Sequence, residues 1–158
     1  MDYSKWEQSV SVEIKGDALW QMTVYRQALF IGELAWFDVC KLAQTKRTLE
    51  LSDQLYRAVG GISATLAEGY SRASDKDQAR FYEYALGSAR ETRDLYYKGR
   101  HVLSETVAEH RLKLLVHIIR QLLKIVPEHR GRKIAEEVAA YDLTDIDDLL
   151  NNVPLPED

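Results

Sequence analysis

Hydrophobic residues recur at helical spacing over four long segments of this chain. The first segment, about residues 18–46, is apolar on more than one face, and the other three each carry one main stripe, which further apolar residues widen in the fourth. The stripes are Leu55, Val59, Ile62 and Leu66; Phe81, Ala85, Ser88, Thr92, Leu95, Gly99 and Val102; and Leu112, Leu115, Ile119, Leu122 and Val126. Steps of three and four place each stripe on one helix face. Because the connections are short, the pattern predicts an all-α fold, an antiparallel up-and-down four-helix bundle.

Capping residues mark the predicted ends of these helices. Residues that favour the N-cap stand before the four segments: Asp17, Ser52, Ser74 and Ser104. Gly69 is predicted to end the second helix in a left-handed conformation. Pro127 and Gly131 are predicted to end the fourth.

The chain is predicted to divide into three parts: an extended N-terminal arm at 1–16, a four-helix bundle domain at 17–133 and an acidic C-terminal tail at 134–158. The arm is expected to be extended because apolar residues alternate at Val10, Val12 and Ile14. In the tail we expect a short helix within residues 134–150, followed by a loose end from Asn151.

Small residues are concentrated in the second and third helices. They are Gly60, Gly61, Ser63, Ala64, Thr65 and Ala67, followed by Ala85, Gly87, Ser88 and Ala89. Helix interiors usually avoid Gly and Ser, so this concentration predicts a close approach of two backbones. At that contact, Ala85 and Gly87 would tolerate no larger side chain.

The chain carries a net charge of −4, which is unevenly distributed. Residues 57–133 hold 15 Lys and Arg against 9 Asp and Glu, whereas residues 134–158 hold 8 acidic residues and no Lys or Arg. A basic bundle with an acidic tail suggests that the tail competes with anionic ligands for the basic surface.

The excess apolar surface on the first and fourth helices predicts a homo-oligomer. A cytoplasmic location is expected, since the N-terminal residues lack a signal-peptide pattern and no apolar stretch is long enough to span a membrane. The single cysteine, Cys40, excludes an intramolecular disulfide and is predicted to be a buried structural thiol.

The central segment resembles a known family. The residues that carry the resemblance are Arg57, Ala58, Ile62, Ala64, Ala67, Glu68, Gly69, Arg72 and Ser74, then Phe81, Ala85, Leu86, Gly87, Ser88 and Glu91, with Val24 to Ala28 upstream. They are similar to the four-helix bundle proteins encoded in intervening sequences of bacterial 23S rRNA genes. The resemblance spans roughly residues 20–125. It departs from the family at Ser63, where Pro is common, and at Thr65, where Asn is usual.

The resemblance implies a bundle that assembles into a ring, with a pentamer expected, and a link to RNA and the ribosome. It also implies a structural motif of the family, whose residues here are Arg57, Ala67, Glu68, Gly69, Arg72, Phe81, Gly87 and Ser88. Glu68 and Arg72 are spaced to form an ion pair or a cap that fixes the turn between the second and third helices, or a polar pair that lines a pore or a partner surface.

A basic stripe on the third and fourth helices is the candidate nucleic-acid-binding surface. Its residues are Lys76, Arg80, Arg90, Arg93 and Arg100, with His110, Lys113, His117, Arg120 and Lys124. Those of the fourth helix are spaced by three and four, opposite the core stripe, where they would attract phosphates. The alternative is a solvated polar face partly neutralised by Asp94, Glu109 and the tail.

Three functional interpretations remain open. The first is a non-enzymatic oligomeric binding module that associates with RNA or a ribonucleoprotein through its basic faces. The second is a protein-interaction scaffold, such as a reverse-transcriptase accessory subunit, that binds no nucleic acid. The third is a helical ribonuclease, because the spacing of Arg111 and His117 resembles that of helical nucleotide-binding ribonucleases. No cofactor, metal ligand set, membrane partner or small-molecule substrate is predicted.

Overall fold

The computed structural model describes residues 2–130 and 145–157, and side chains within 2–126 and 145–157. Its helices are α1 (Tyr3–Ser9), α2 (Val12–Lys15), α3 (Thr23–Ala43), α4 (Leu49–Tyr70), α5 (Asp75–Leu103), α6 (Glu105–Arg130) and α7 (Ile146–Asn151), with 3-10 turns at Ala18–Gln21 and Lys46–Thr48. These ranges contain no strand. The described chain is therefore all-helical, as the hydrophobic spacing predicted.

The four long helices, α3 to α6, share one apolar core. Each packs on the next along the chain, and α3 also contacts α5 and α6. Leu34, Ile62, Tyr96 and Leu114, one from each helix, have almost no exposed surface. Residues from all four helices therefore bury one another's apolar faces, which is the main favourable contribution to such a fold.

The N-terminal segment is helical, so the prediction of an extended arm was wrong. Asp2 caps α1 by accepting a hydrogen bond from the amide of Lys5 at 2.8 Å. The alternation that suggested an extended arm buries no face, because Val12 and Ile14 are 73% and 41% exposed. Three alternating residues are too few to exclude a short helix, and Val12 and Ile14 lie in α2.

Helix α1 packs its aromatic residues on α3. The ring centroids of Tyr3 and Trp6 each lie 5.1 Å from that of Phe30. Trp6 also stacks near Trp20, with 6.3 Å between centroids. The chain's own N-terminal segment therefore covers part of the extra apolar surface that suggested a homo-oligomer.

Two of the four predicted N-caps begin an α-helix. Ser74 accepts from the amide of Asp77 at 3.2 Å, and Ser104 from that of Val107 at 3.4 Å. Asp17 caps only the 3-10 turn, so α3 begins later, at Thr23. Ser52 was predicted wrongly: it is buried inside α4, where its hydroxyl donates to the carbonyl of Leu49.

The contact between α4 and α5 depends on Gly61, which the small-residue pattern predicted, and on Gly69, which was expected to end the helix. Gly69 lies inside α4 and does not end it; a Cβ there would stand 2.8 Å from Tyr82 Cε1 and 2.9 Å from Phe81 Cβ. A Cβ on Gly61 would stand 3.0 Å from Ser88 Oγ. Gly87, by contrast, is exposed, and a Cβ there would meet nothing within 4 Å, so its predicted intolerance was wrong. Ala85 is fully buried.

The C-terminal segment packs on the helical core. Helix α7 contacts α6 and α1, and Leu149 is 4% exposed. Val153 packs against the core cluster, so the expected loose end after Asn151 was also wrong. The predicted short helix overlaps α7, although its first part, residues 134–144, lies outside the described residues.

Two further local predictions were wrong. Helix α6 continues past Pro127 to Arg130; Gly131 lies outside the described residues. Cys40 is exposed, not buried.

Gly69→Ala is expected to lower the free energy of unfolding by about 1–3 kcal/mol, because the added methyl group has no room against Phe81 and Tyr82. Gly87→Ala, the matched change on α5, should raise it by about 0.5–1 kcal/mol, since it removes a helical glycine without a clash. Urea denaturation measures both. Equal effects of the two substitutions would contradict this account of the α4–α5 contact.

Candidate functional site

A groove of about 610 Å³ lies between α5 and α6. One face of each helix lines it: Arg90, Arg93, Asp94 and Tyr97 from α5, and Glu109, Leu112, Lys113, Val116, His117 and Arg120 from α6. Spacings of three and four gather these residues on the two facing surfaces. Ser104, with φ 78°, is the only residue between the helices. This sharp reversal brings α6 back alongside α5.

The groove is basic, with four permanently cationic side chains against two carboxylates. Both carboxylates have cationic partners: Glu109 lies 2.8 Å from Lys113, and Asp94 lies 2.6 Å from Lys98. In the first pair, the Lys and Glu side chains are 43% and 59% exposed. Exposed pairs contribute little, about 0–1 kcal/mol, so Lys113 can exchange its partner for a phosphate at small cost.

The groove brings together half of the predicted basic stripe: Arg90, Arg93, Lys113, His117 and Arg120. Four other stripe residues do not line it. Lys76 and Arg80 stand exposed near the start of α5, and Lys124 is exposed beyond Arg120. Arg100 lies over the Tyr97 ring, 3.9 Å from its centroid.

His110, the last stripe residue, is 7% exposed, so its assignment to an exposed basic stripe was wrong. It belongs to a buried polar network.

The network is centred on an ion pair between α3 and α6. The Asp38 and Arg111 side chains are both 0% exposed. Arg111 donates to Asp38 from Nε at 2.8 Å and from Nη2 at 3.1 Å. Tyr96 of α5 donates its hydroxyl proton to the same carboxylate at 2.8 Å. Burial, together with the Asp38 charge, raises the pKa of Tyr96 well above its ordinary value, so the hydroxyl keeps that proton.

The C-terminal segment completes this network. Arg111 Nη2 also donates to the carbonyl oxygen of Pro154 at 2.9 Å, and Nη1 lies 2.9 Å from His110 Nδ1. His110 Nε2 lies 2.7 Å from the carbonyl oxygen of Leu149. A guanidinium group only donates hydrogen bonds, so His110 accepts at Nδ1 and donates from Nε2. Residues 145–157 are thereby joined to α6 through polar as well as apolar contacts.

The surroundings of His110 keep its imidazole neutral. Burial, followed by the charge of Arg111, lowers its pKa from 6.5 to about 4. His110 therefore carries no charge at neutral pH with which to attract a phosphate.

The two residues of the ribonuclease interpretation lie in different surroundings. Arg111 is fully buried and bonded to Asp38, whereas His117 lines the α5–α6 groove. An arginine that stabilises phosphate charge must contact the phosphate. Arg111 is therefore not placed for the expected role.

The motif residues near the α4–α5 turn form a cationic and aromatic cluster. The Arg72 and Arg80 guanidinium groups lie 4.4 and 5.5 Å from the Phe81 ring centroid. The ion pairs of the described side chains do not include Glu68 with Arg72, so the predicted ion pair is absent. The other motif residues not yet placed, Arg57 and Ala67, are exposed and half-buried, respectively.

Among the described residues, no group of three or more His, Cys, Asp or Glu side chains is placed to hold a metal ion. Within the same residues, no helix combines the length and apolar character that a membrane span requires.

The sequence places this chain in a protein family. The family model of the 23S rRNA-intervening sequence protein matches residues 21–124, which include α3, α4, α5 and most of α6. The chain belongs to this family, as the motif residues indicated. Comparison with curated proteins and with solved structures gives no match.

Arg111→Met is expected to lower the free energy of unfolding by about 3–5 kcal/mol, because the Asp38 carboxylate stays buried without its counter-charge. Adding Asp38→Asn should recover part of this loss. Urea denaturation of the single and double variants measures the coupling. Lys113→Met, which breaks an exposed pair, is the control and should cost less than about 1 kcal/mol. The account is contradicted if Arg111→Met costs no more than this control.

Acidification should lower the free energy of unfolding, because His110 must take up a proton that the folded state disfavours. Its folded pKa is about 4, below the ordinary 6.5, so its contribution to stability is complete above pH 6.5 and declines as the pH falls toward 4. His110→Gln cannot take up this proton. Between pH 7 and pH 4.5, the wild type should therefore lose more unfolding free energy than His110→Gln does.

His101→Gln, which alters an exposed residue of α5, is the control and should keep the wild-type pH dependence. Identical pH dependence in all three proteins would show that His110 is not held neutral.

Proposed function

We propose that this chain is a non-enzymatic binding module that associates with RNA, free or within a ribonucleoprotein, through the α5–α6 groove. The observation that carries the proposal is the groove itself, in which α5 and α6 place Arg90, Arg93, Lys113 and Arg120 together. Such a cationic surface attracts the phosphate groups of a nucleic acid. Membership of a family named for 23S rRNA intervening sequences is consistent with an RNA partner.

The proposed architecture is an up-and-down four-helix bundle of α3 to α6. In support of this architecture, as residue numbers rise along one helix, the numbers of the residues they contact on the neighbouring helix fall. The contacts are Gln54 with Glu91, Gly61 with Ser88 and Gly69 with Phe81 between α4 and α5, and Gln27 with Gln121 and Asp38 with Arg111 between α3 and α6. Helices related in this way run in opposite directions.

The proposed mechanism is electrostatic and multivalent. Phosphate contacts from the groove position an RNA chain without reading its sequence. In a homo-oligomeric ring, five-fold as the resemblance implies, each subunit would present the same groove. Repeated weak contacts would then add up to a higher overall affinity.

A second candidate function, that of a protein-interaction scaffold, is favoured by a groove between α3 and α4. It has a volume of about 520 Å³, and Gly32 and Gly60 lie on its lining. Trp36 and Tyr56 stand beside it, 55% and 46% exposed, with 6.0 Å between their ring centroids. Exposed aromatic residues beside small ones are typical of surfaces that bind another protein, including a second copy of the same chain.

The triple variant Arg93→Gln, Lys113→Gln and Arg120→Gln should bind RNA more weakly and with a shallower salt dependence. Each lost contact with a single strand lowers the slope by about 0.7, so three contacts lower it by about 2. Fluorescence anisotropy with a structured rRNA fragment and an unrelated RNA, over a salt titration, measures both quantities. The two RNAs should respond alike, because phosphate contacts carry no sequence information directly.

The control removes three cations that lie away from the groove: Lys5→Gln, Lys46→Gln and Arg47→Gln. It changes the net charge equally but should leave most of the slope intact. Equal losses in the two triple variants would mean that total charge, not the groove, determines binding. If the wild type binds neither RNA at low salt, the scaffold function replaces the RNA-binding one.

Trp36→Ser should shift the protein toward its 18.2 kDa monomer if the α3–α4 groove is a subunit interface. The substitution removes an exposed indole and should leave the core of each subunit folded, because Trp36 is 55% exposed. Light scattering at micromolar concentration measures the mass. A wild type that is already monomeric would contradict the oligomer proposal, and Tyr84→Ser, on α5, is the matched control.

A further inference from the structure

We infer that the α5–α6 groove binds single-stranded RNA by stacking an unpaired base on the Tyr97 ring while Arg93 and Lys113 hold the adjoining phosphates. The inference rests on the RNA-binding function proposed above and names the form of RNA that the groove takes. It is carried by the combination of an exposed aromatic ring, an apolar floor and flanking cations in one groove.

The apolar part of the groove distinguishes it from a surface that contacts phosphates alone. Leu112 and Val116 line it and are half-buried, and Tyr97, which is 54% exposed, stands beside them. Apolar neighbours do not stabilise a bound phosphate, whereas they do stabilise the face of a bound nucleobase. A positively charged groove with an aromatic platform is the general arrangement by which proteins bind single strands.

Arg100 covers one face of the Tyr97 ring. Its guanidinium carbon lies 3.9 Å from the ring centroid, and Nη1 donates to the carbonyl oxygen of Tyr97 at 2.6 Å. Arg100 does not line the groove, whereas Tyr97 does. The inference therefore assigns the base to the other face of the ring, while the cation holds the ring in place.

The spacing of the cations suits a nucleotide whose base lies on Tyr97. Arg93 precedes Tyr97 by four residues on α5, so the two side chains are neighbours on one helix face. Lys113 faces them from α6 and is held only by an exposed pair with Glu109. The volume of about 610 Å³ lies within the range of sites that enclose small organic ligands, which leaves room for one or two nucleotides.

A duplex cannot use this arrangement. In A-form RNA the bases are stacked and paired, and sequence-independent contacts reach only phosphates and 2′-hydroxyl groups. A duplex would keep the contacts to Arg93 and Lys113 but lose the stack on Tyr97. The inference therefore predicts a preference for single strands that depends on one aromatic ring.

The test compares Tyr97→Ala with the wild type by fluorescence anisotropy, using a ten-nucleotide single-stranded RNA and a duplex of the same length. Tyr97→Ala should weaken single-strand binding roughly tenfold to a hundredfold, the range expected for the loss of one base–aromatic stack, and leave duplex binding unchanged. The substitution removes no charged group. A loss of affinity therefore cannot come from lost charge.

Three variants make this test specific. Tyr97→Phe keeps the ring and should bind like the wild type, whereas Tyr97→Leu keeps an apolar side chain without the ring and should behave like Tyr97→Ala. Tyr84→Ala removes a ring that is 53% exposed on the same helix but lies outside the groove, and should have no effect. Thermal melting checks that each variant is folded, which is expected because Tyr97 and Tyr84 are exposed.

The possible outcomes separate the inference from the function on which it rests. If Tyr97→Ala weakens both probes equally or neither, while Arg93→Gln with Lys113→Gln weakens both, the groove binds RNA without stacking and the inference is overturned. If adenosine monophosphate binds as tightly as the single strand, the groove is a mononucleotide site, which also overturns it. If the wild type binds no probe at low salt, RNA binding itself fails.

Discussion

The arrangement of α3, α5, α6 and the C-terminal segment depends on one buried ion pair, between Asp38 and Arg111. A charged group with no exposed surface needs both a counter-charge and enough hydrogen-bond partners, because burial removes its water. The partners here come from Tyr96 of α5 and from the carbonyl oxygen of Pro154. Such a pair stabilises the fold little more than well-packed apolar residues in its place would. It does determine which elements must contact one another.

The same constraint positions the described end of the acidic tail. From charge alone, the tail was predicted to compete with phosphates for the basic surface. Residues 145–157, the described part of the tail, pack at His110 and Arg111, and none of them lines the α5–α6 groove, whereas residues 134–144 lie outside the described residues. Helix α6 therefore presents two different polar surfaces. Arg111 points inward to complete the core, while Lys113 lines the groove, where it is held by an exposed pair with Glu109.

The sequence predicted the long helices well because their apolar spacing is regular, and half of the basic stripe does lie in one groove. It failed where one residue type fits two environments. Gly69 suits the end of a helix as well as a close contact between two helices, and only the position of Phe81 decides between these two roles. Arg111 occupies a core position between Val107 and Leu114, a signal that it is buried. Its partner Asp38 lies 73 residues away in the sequence, a pairing that spacing alone cannot reveal.

Amide hydrogen exchange, measured peptide by peptide by mass spectrometry, tests the central claim that this ion pair joins the helices to the C-terminal segment. In the wild type, α7 should exchange slowly. In Arg111→Met, exchange should rise together in residues 145–157 and in the part of α3 around Asp38. The account is contradicted if residues 145–157 exchange at unprotected rates in the wild type, or if Arg111→Met alters one of these regions and leaves the other unchanged.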